Sequence, residues 1–287
     1  LSSFVCIAKG ALGVVGNLRK TAAMMQAQDL RLTFNPGTPI ENPALRGLSL
    51  EIGEGEFVTV IGTNGAGKST FLNAVAGTVR VDSGQILLNG IDVTRQSAYQ
   101  RAGLVARVFQ DPMAGTCEHL TIEENMALAY KRGGWRGLSG ALSGKNRELF
   151  REKLAILKLG LENRLTDRMG LLSGGQRQAV SLLMASLQPS KILLLDEHTA
   201  ALDPKTADFV LQLTDQIVHD NGLTAMMVTH SMQQALNHGS RTVMLHQGQV
   251  VLDVSGEQRR GMTVQDLLAM FERTRGEVVA DDSLLLS

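Results

Sequence analysis

An α/β fold built on a mostly parallel sheet is what the sequence predicts, on three observations. Strand-like and helix-like segments alternate in the second half: Lys191 to Leu195, a helix from Lys205 to Asp220, then Ala225-Met226-Met227-Val228. Such alternation puts a parallel sheet under helices on both faces. The β-rich run Phe57-Val58-Thr59-Val60-Ile61 leads straight into Gly62-Thr63-Asn64-Gly65-Ala66-Gly67-Lys68-Ser69, which fits the P-loop pattern G-x-x-x-x-G-K-[ST] between a strand and a helix. The apolar run Ile192 to Leu195 ends in Asp196-Glu197, setting two acids at the carboxyl edge of the sheet.

The remaining elements follow in order. Alternating segments such as Leu30 to Phe34 and Leu48 to Ile52 predict antiparallel strands before the strand that feeds the P-loop. Ser69 to Val79 reads as a helix, and Gln85 to Leu88 as a strand entering a tight turn at Asn89-Gly90. Between Asp111 and Leu172 the pattern becomes helical: Thr121-Ile122-Glu123-Glu124 is a capping box, and Asn146 to Leu159 carries Phe150, Leu154 and Leu157 at helical spacing. Gly133, Gly134, Gly137, Gly140 and Gly144 crowd the loop between these helices, which leaves Trp135 exposed or docked on a partner. A helix from Gly175 to Leu187, a hairpin across Gln247-Gly248-Gln249 and a tail helix from about Val264 to Arg273 complete the chain.

Composition narrows the function classes. In 287 residues, 28 Lys and Arg balance 28 Asp and Glu, so no global field favours nucleic acid. Cys6 and Cys117 are far apart with no metal or redox spacing, as in a reducing compartment. No run approaches the ~18 apolar residues of a membrane-spanning helix. The apolar, acid-free stretch Leu1 to Ala23 is interrupted by Lys9 and does not follow the charge order of a targeting segment. A start at Met24 or Met25 is consistent with the leading Leu, and residues 1–25 are expected to lie outside the fold.

The chemistry of the motifs can be read from residue type. Glycines at 62, 65 and 67 let successive backbone N–H groups turn inward on phosphate oxygens. Lys68 adds a point charge, and the helix that follows adds the positive end of its dipole. Ser69, directly after the lysine, offers a hydroxyl to Mg²⁺. Asp196 would reach the same ion through water, and Glu197 is the expected general base for an attacking water. Ser173, Gly174 and Gly175 open a helix and present a hydroxyl and backbone N–H groups to anionic oxygens.

Leu172-Ser173-Gly174-Gly175-Gln176, about twenty residues before the acid pair and far beyond the P-loop, resembles the signature of the ATP-binding cassette family. The resemblance covers nearly everything from about Gln28 onward. Leu32 to Pro39 and Asp196 to Pro204 are similar to ATPase subunits of bacterial importers of the tryptophan/tyrosine type. It implies a P-loop NTPase with a RecA-like core, an antiparallel β-subdomain and a helical subdomain. Residues 26–255 would form the ATPase domain, its helical subdomain at about 111–187, and residues 256–287 a short helical tail.

The family's roles map onto single residues. ATP and Mg²⁺ are the implied cofactors, with Gly62, Asn64, Gly65, Ala66, Gly67, Lys68, Ser69 and Thr70 around the phosphates. Gln110 resembles the glutamine that reaches Mg²⁺ and the attacking water. His230 resembles the histidine that contacts the γ-phosphate. Phe34 stands where an aromatic stacks on adenine, although a strand core position competes with that reading. Ser173, Gly174, Gly175 and Gln176 would contact the γ-phosphate held by a second copy, and Asp203 would cross that interface, so one chain holds two half-sites and no complete one. His198 and Ala200 stand where Pro and Ser are commoner, which removes one hydroxyl from the interface and gives His198 an expected influence on the pH dependence of hydrolysis.

The resemblance therefore implies an ATPase subunit of an importer, peripheral to the cytoplasmic face of the bacterial inner membrane. Its implied partners are a second copy of itself, an integral membrane permease and, indirectly, an extracytoplasmic solute-binding protein, with aromatic amino acids as the solute class. The competing reading is a soluble single-cassette ATPase acting in cofactor or complex assembly.

Overall fold

The structure, a computed structural model, describes residues 23–134 and 142–275. In chain order the elements are β1 (Ala23–Phe34), β2 (Asn42–Gly53), β3 (Phe57–Ile61), α1 (Lys68–Ala76), β4 (Ser83–Leu88), β5 (Ile91–Asp92), β6 (Val105–Val108), α2 (Ile122–Tyr130), α3 (Gly144–Ala155), α4 (Gly174–Ser186), β7 (Ile192–Asp196), α5 (Pro204–Asp220), β8 (Ala225–Val228), α6 (Met232–Asn237), β9 (Arg241–His246), β10 (Gln249–Ser255), α7 (Gly256–Arg259) and α8 (Val264–Arg275).

A six-stranded sheet in the order β10-β9-β3-β8-β7-β6 forms the centre. It is parallel from β9 to β6, and β10 closes it as an antiparallel hairpin partner of β9. Its strands are continuous apolar runs because both faces are covered. On one face Phe71, Leu72 and Val75 of α1 meet Val58, Val60, Ile192, Leu194 and Met226. On the other, Leu182 and Leu183 of α4 and Leu211 of α5 meet Ala106, Val108, Leu193 and Leu195. Full burial of each such side chain is worth about 1.5–3 kcal/mol before the entropy cost of ordering it.

The second sheet, β2-β1-β4-β5, is antiparallel and shares the α1-side core through Met25, Leu48, Ile52 and Ile86. Strand β1 begins at Ala23, with Met24 and Met25 buried, so the sheet takes in the last three residues assigned to the extension 1–25. Cross-strand pairing of Ala23 with Gly53 and of Met25 with Leu88 extends the strand past the point where its own alternation is legible. Residues 1–22, with Cys6, and the segment holding Trp135, Gly137 and Gly140 lie outside the described residues.

The helical region is pinned by charge and by caps. The Thr121 hydroxyl accepts from Glu124 N–H at 3.2 Å while Glu124 Oε2 accepts from Thr121 N–H at 2.7 Å, the reciprocal pattern of a capping box. Arg147 of α3 forks onto Glu123 of α2 at 2.7 and 2.9 Å. Between this region and the central sheet lies a cavity of about 440 Å³, lined in part by Val105, Arg107, Phe109, Asn125, Leu128 and Ser181.

Two further contacts stiffen the frame. Arg101 is fully buried and donates to the Ala74 and Val75 carbonyls, both at 2.7 Å, satisfying the end of α1. Burial lowers its pKa to about 10, partly offset by Asp92. The tail helix α8 is docked, with Leu267 and Phe271 buried beside Ile61, Met232 and Leu252. Phe271→Ala should therefore cost about 3–5 kcal/mol in urea unfolding. A loss below about 1 kcal/mol would mean that α8 stands outside the cooperative core.

Candidate active site

The site is assembled where parallel strands end. Strand β3 runs into the P-loop, β8 into Thr229-His230, β7 into Asp196-Glu197 and β6 into Phe109-Gln110. Asp196 lies beside Val228 and Leu195 beside Val108, so these ends fall level along one edge.

The P-loop backbone makes contacts that only glycine permits at two points. A Cβ on Gly62 (φ +149°) would lie 2.2 Å from the Leu245 carbonyl oxygen, and one on Gly67 (φ +97°) would lie 2.7 Å from that of Ala44. Asn64, Gly65 and Ser69 are exposed, so the outer side of the loop and the first turn of α1 face solvent. Lys68 is buried, and its Nζ donates to the Gly62 carbonyl at 2.7 Å and to that of Thr63 at 3.2 Å. Burial lowers its pKa, while the charges of Glu197 and Asp196 act to raise it. The ammonium thus stands in the field of both acids, beside a cradle of backbone N–H groups at a helix N-terminus.

Glu197 is held by His230, whose Nε2 lies 2.6 Å from Glu197 Oε2. Glu197 has a left-handed backbone, φ +44°, which is unfavourable for a side chain of this kind and occurs here at a strand-end turn. The loop carrying His230 is tied down in turn. Thr229 Oγ1 donates to Gln234 Oε1 at 2.7 Å, and the Ser231 hydroxyl caps α6. Glu197, His198 and His230 share a cavity of about 420 Å³ with Ser231 and Gln234.

Asp196 pairs with a residue the motifs do not contain. Arg107 of β6 donates to Asp196 Oδ2 at 2.6 Å and to Asn73 Oδ1 of α1 at 2.8 Å. Its guanidinium also lies over the Phe109 ring, 4.6 Å from the centroid. The clue in the sequence is a charged residue inside an apolar strand, Val105-Ala106-Arg107-Val108. Gln110 follows Phe109 in an exposed position. The Phe109 carbonyl accepts from Gln178 Nε2 of α4 at 3.1 Å, a second contact that the motifs do not announce.

The signature segment occupies a separate place. Ser173 caps α4, its oxygen accepting from Gln176 N–H at 3.3 Å, while Gln176 Oε1 accepts from Ser173 N–H at 3.2 Å. That leaves the hydroxyl proton of the exposed Ser173 for an anionic oxygen. A Cβ on Gly175 would lie 2.1 Å from Thr206 Cγ2, so the N-termini of α4 and α5 are pressed together. Asp203 caps α5 with Oδ1 on Thr206 N–H at 3.1 Å, and these bonds lower its pKa. Among the described residues, no hydrogen bond or ion pair joins Ser173, Gln176 or Asp203 to the P-loop of the same chain. Phe34, at the end of β1, is 38% exposed, in contrast to a strand core residue.

A backbone cradle shaped for phosphates, a strand-end glutamate held by a histidine and a helix-opening Ser-Gly-Gly define an ATP-hydrolysing P-loop cassette. The ABC transporter family model matches residues 45–200, and the chain belongs to that family. It is 46% identical to the tyrosine transport ATP-binding protein of Clostridioides difficile (strain R20291), over 87% of this chain and 99% of that protein. It is also 36% identical to the phosphonates import ATP-binding protein PhnC 2 of Synechococcus sp., over 75% of this chain and 80% of that one. Among solved structures, the dimeric post-hydrolysis state of the ATP-binding cassette MJ0796 bound to ADP and Pi matches at a TM-score of 0.69 and 30% identity. That match covers 83% of this chain and all 100% of the other.

One expectation is corrected. His198 is fully buried, and its Nε2 lies 2.9 Å from Thr214 Oγ1, which itself donates to the Val210 carbonyl at 2.8 Å. The hydroxyl therefore accepts from His198, whose ring is neutral. Burial, reinforced by His238, lowers its pKa from 6.5 to about 4, so it does not titrate near neutral pH and does not set the pH dependence of hydrolysis there. Its effect falls on stability. With the folded value depressed, the contribution is complete above about pH 6.5 and is lost as pH falls toward 4. Between pH 7 and 4 the wild type should lose about 3 kcal/mol relative to His198→Gln, measured by urea unfolding at each pH. Parallel pH curves for the two proteins would contradict the assignment.

Proposed function

We propose that this chain is the ATP-hydrolysing subunit of an importer, working as a head-to-tail homodimer beneath a separate integral permease at the cytoplasmic face of the bacterial inner membrane. The observation that carries this is the end-to-end match to a tyrosine transport ATP-binding protein, with 99% of that relative covered. Aromatic amino acids are the solute class it supports, delivered by an extracytoplasmic binding protein. Among the described residues no helix is long and apolar enough to cross a membrane, so in this reading the permease supplies the spanning helices.

The donor set fits Mg²⁺ held with nucleotide. Ser69 offers a hydroxyl at the exposed start of α1 and Asp196 a carboxylate. Gln110 is a third oxygen donor on the neighbouring strand end. No cluster of three or more His, Cys, Asp or Glu side chains able to hold a metal occurs among the described residues. Mg²⁺ needs no such cluster, because it keeps waters and takes phosphate oxygens. When bound, it would withdraw charge from the phosphate oxygens.

The chain's own residues do the rest. Backbone N–H groups from Gly62 to Thr70, with Lys68, hold the phosphates, and Phe34 stacks on the base. Glu197 accepts a proton from the attacking water, and His230 keeps its carboxylate aimed. Ser173, Gly174, Gly175 and Gln176 reach the nucleotide on the second copy, with Asp203 beside them at the interface. The cavity beside β6, with Ala98, Ala102, Leu128 and Met184 in its wall, suits an apolar helix of the permease.

Glu197→Gln should retain ATP binding and lose at least about 100-fold in hydrolysis, because it removes the proton acceptor but not the phosphate cradle. Affinity purification from membranes in mild detergent, with identification of the accompanying chains, tests the assignment. A polytopic permease is the expected companion. Recovery only as a soluble ATPase without a membrane partner would overturn the transport reading.

A further inference from the structure

Arg107 is out of place in its strand. Its neighbours Val105, Ala106 and Val108 are buried, and its own side chain is 14% exposed. A buried ion pair is weak evidence for stability, since desolvation offsets the Coulombic gain and a packed apolar side chain would serve the core at least as well. The pairing is also not optimised for stability, because Arg107 Nε is buried without a hydrogen-bond partner. Its other nitrogens are directed. One donates to Asp196 Oδ2 and one to Asn73 Oδ1 in the second turn of α1. The planar guanidinium fork thus joins the acid at the end of β7 to the helix that begins with Lys68 and Ser69.

We propose that Arg107 is a positioning residue for hydrolysis, orienting the Asp196 carboxylate toward the metal and linking it to the segment that carries Gln110. Three contacts make the linkage. Arg107 fixes Oδ2, which leaves Oδ1 outside the ion pair, and the carboxylate lies within electrostatic reach of Lys68. The same guanidinium rests on Phe109, the residue before Gln110. The Phe109 carbonyl is in turn bonded to Gln178, four residues into the signature helix α4. Any shift of the Phe109-Gln110 segment therefore acts on the group that aims Asp196. Without the guanidinium, the carboxylate is free to rotate toward the Lys68 ammonium. This inference rests on the reading of Asp196 as the residue serving the metal.

The test is metal affinity rather than turnover. Mn²⁺ binding to the ATP-saturated full chain is followed by electron paramagnetic resonance, with ATP affinity measured separately in EDTA. Loss of a group that orients a metal's carboxylate should raise the Mn²⁺ dissociation constant of Arg107→Met about tenfold and leave ATP affinity in EDTA within about twofold of wild type. Arg107→Lys, which keeps the charge without the fork, should fall between. Asn73→Ala, which removes the second anchor together with a bond from the exposed Thr78 hydroxyl, covers the case in which Arg107→Met does not fold and should raise the constant about threefold. An unchanged constant in both Arg107→Met and Asn73→Ala would overturn the proposal. So would tighter Mn²⁺ binding, which would mean that Arg107 merely competes with the ion. Asp196→Asn separates the premise: if it leaves Mn²⁺ affinity intact, the reading of Asp196 itself fails.

Discussion

The site depends on a place where three stretches of backbone touch with no side chain between them. Gly62 and Gly67 bring the P-loop against the carbonyls of Leu245 and Ala44. The turn between β9 and β10 completes the junction: Gly248 N–H donates to Ala66 at 3.0 Å, and the Gly248 carbonyl accepts from Arg46 N–H at 3.0 Å. A Cβ on Gly248 would lie 2.6 Å from the Ala44 carbonyl oxygen. Strand β2, the P-loop and the β9–β10 hairpin are therefore locked together largely through main chain, with the Gln249 side chain adding a bond to the Arg46 carbonyl at 3.0 Å. The lock holds the antiparallel sheet against the parallel one, and it shapes the loop so that its N–H groups are available to phosphates.

From that junction the sheet order sets the chemistry. β3, β8, β7 and β6 lie side by side, so an ammonium, a histidine, two carboxylates and a glutamine arrive at one edge from strands far apart in sequence. The buried charges are partnered: Lys68 feels both acids and Asp196 is paired with Arg107, while the part-exposed His230 ring lies against Glu197. Such arrangements contribute little net stability, and orientation is what they supply. The apolar clusters on both faces of the sheet carry the stability that allows this edge to be polar.

Much of this was legible in the sequence, because the chemistry lies in linear motifs at strand ends. A glycine-rich loop after a β-rich run, or an acid pair after four apolar residues, states its own position in an α/β sheet. What could not be read depends on tertiary contacts. Arg107 meets Asn73 and Asp196 across separations of 34 and 89 residues, and only its charge in an apolar strand hinted at a role. His198 was visible as a departure from the commoner Pro. Its burial and its bond to Thr214, rather than its residue type, decide that it stays neutral. The start of β1 was hidden for the same reason, since pairing with two neighbouring strands carries it back to Ala23.

In the proposed homodimer each hydrolytic site takes its P-loop from one copy and its Ser-Gly-Gly helix from the other. Mixing two inactive variants tests it most directly: Lys68→Ala, with an intact signature, and Ser173→Arg, with an intact P-loop. In a mixed pair one site carries both lesions and the other carries neither. The mixture should recover about a quarter of wild-type ATPase activity, since half of randomly formed pairs are mixed and each holds one whole site. A mixture no more active than the two variants assayed separately would contradict it.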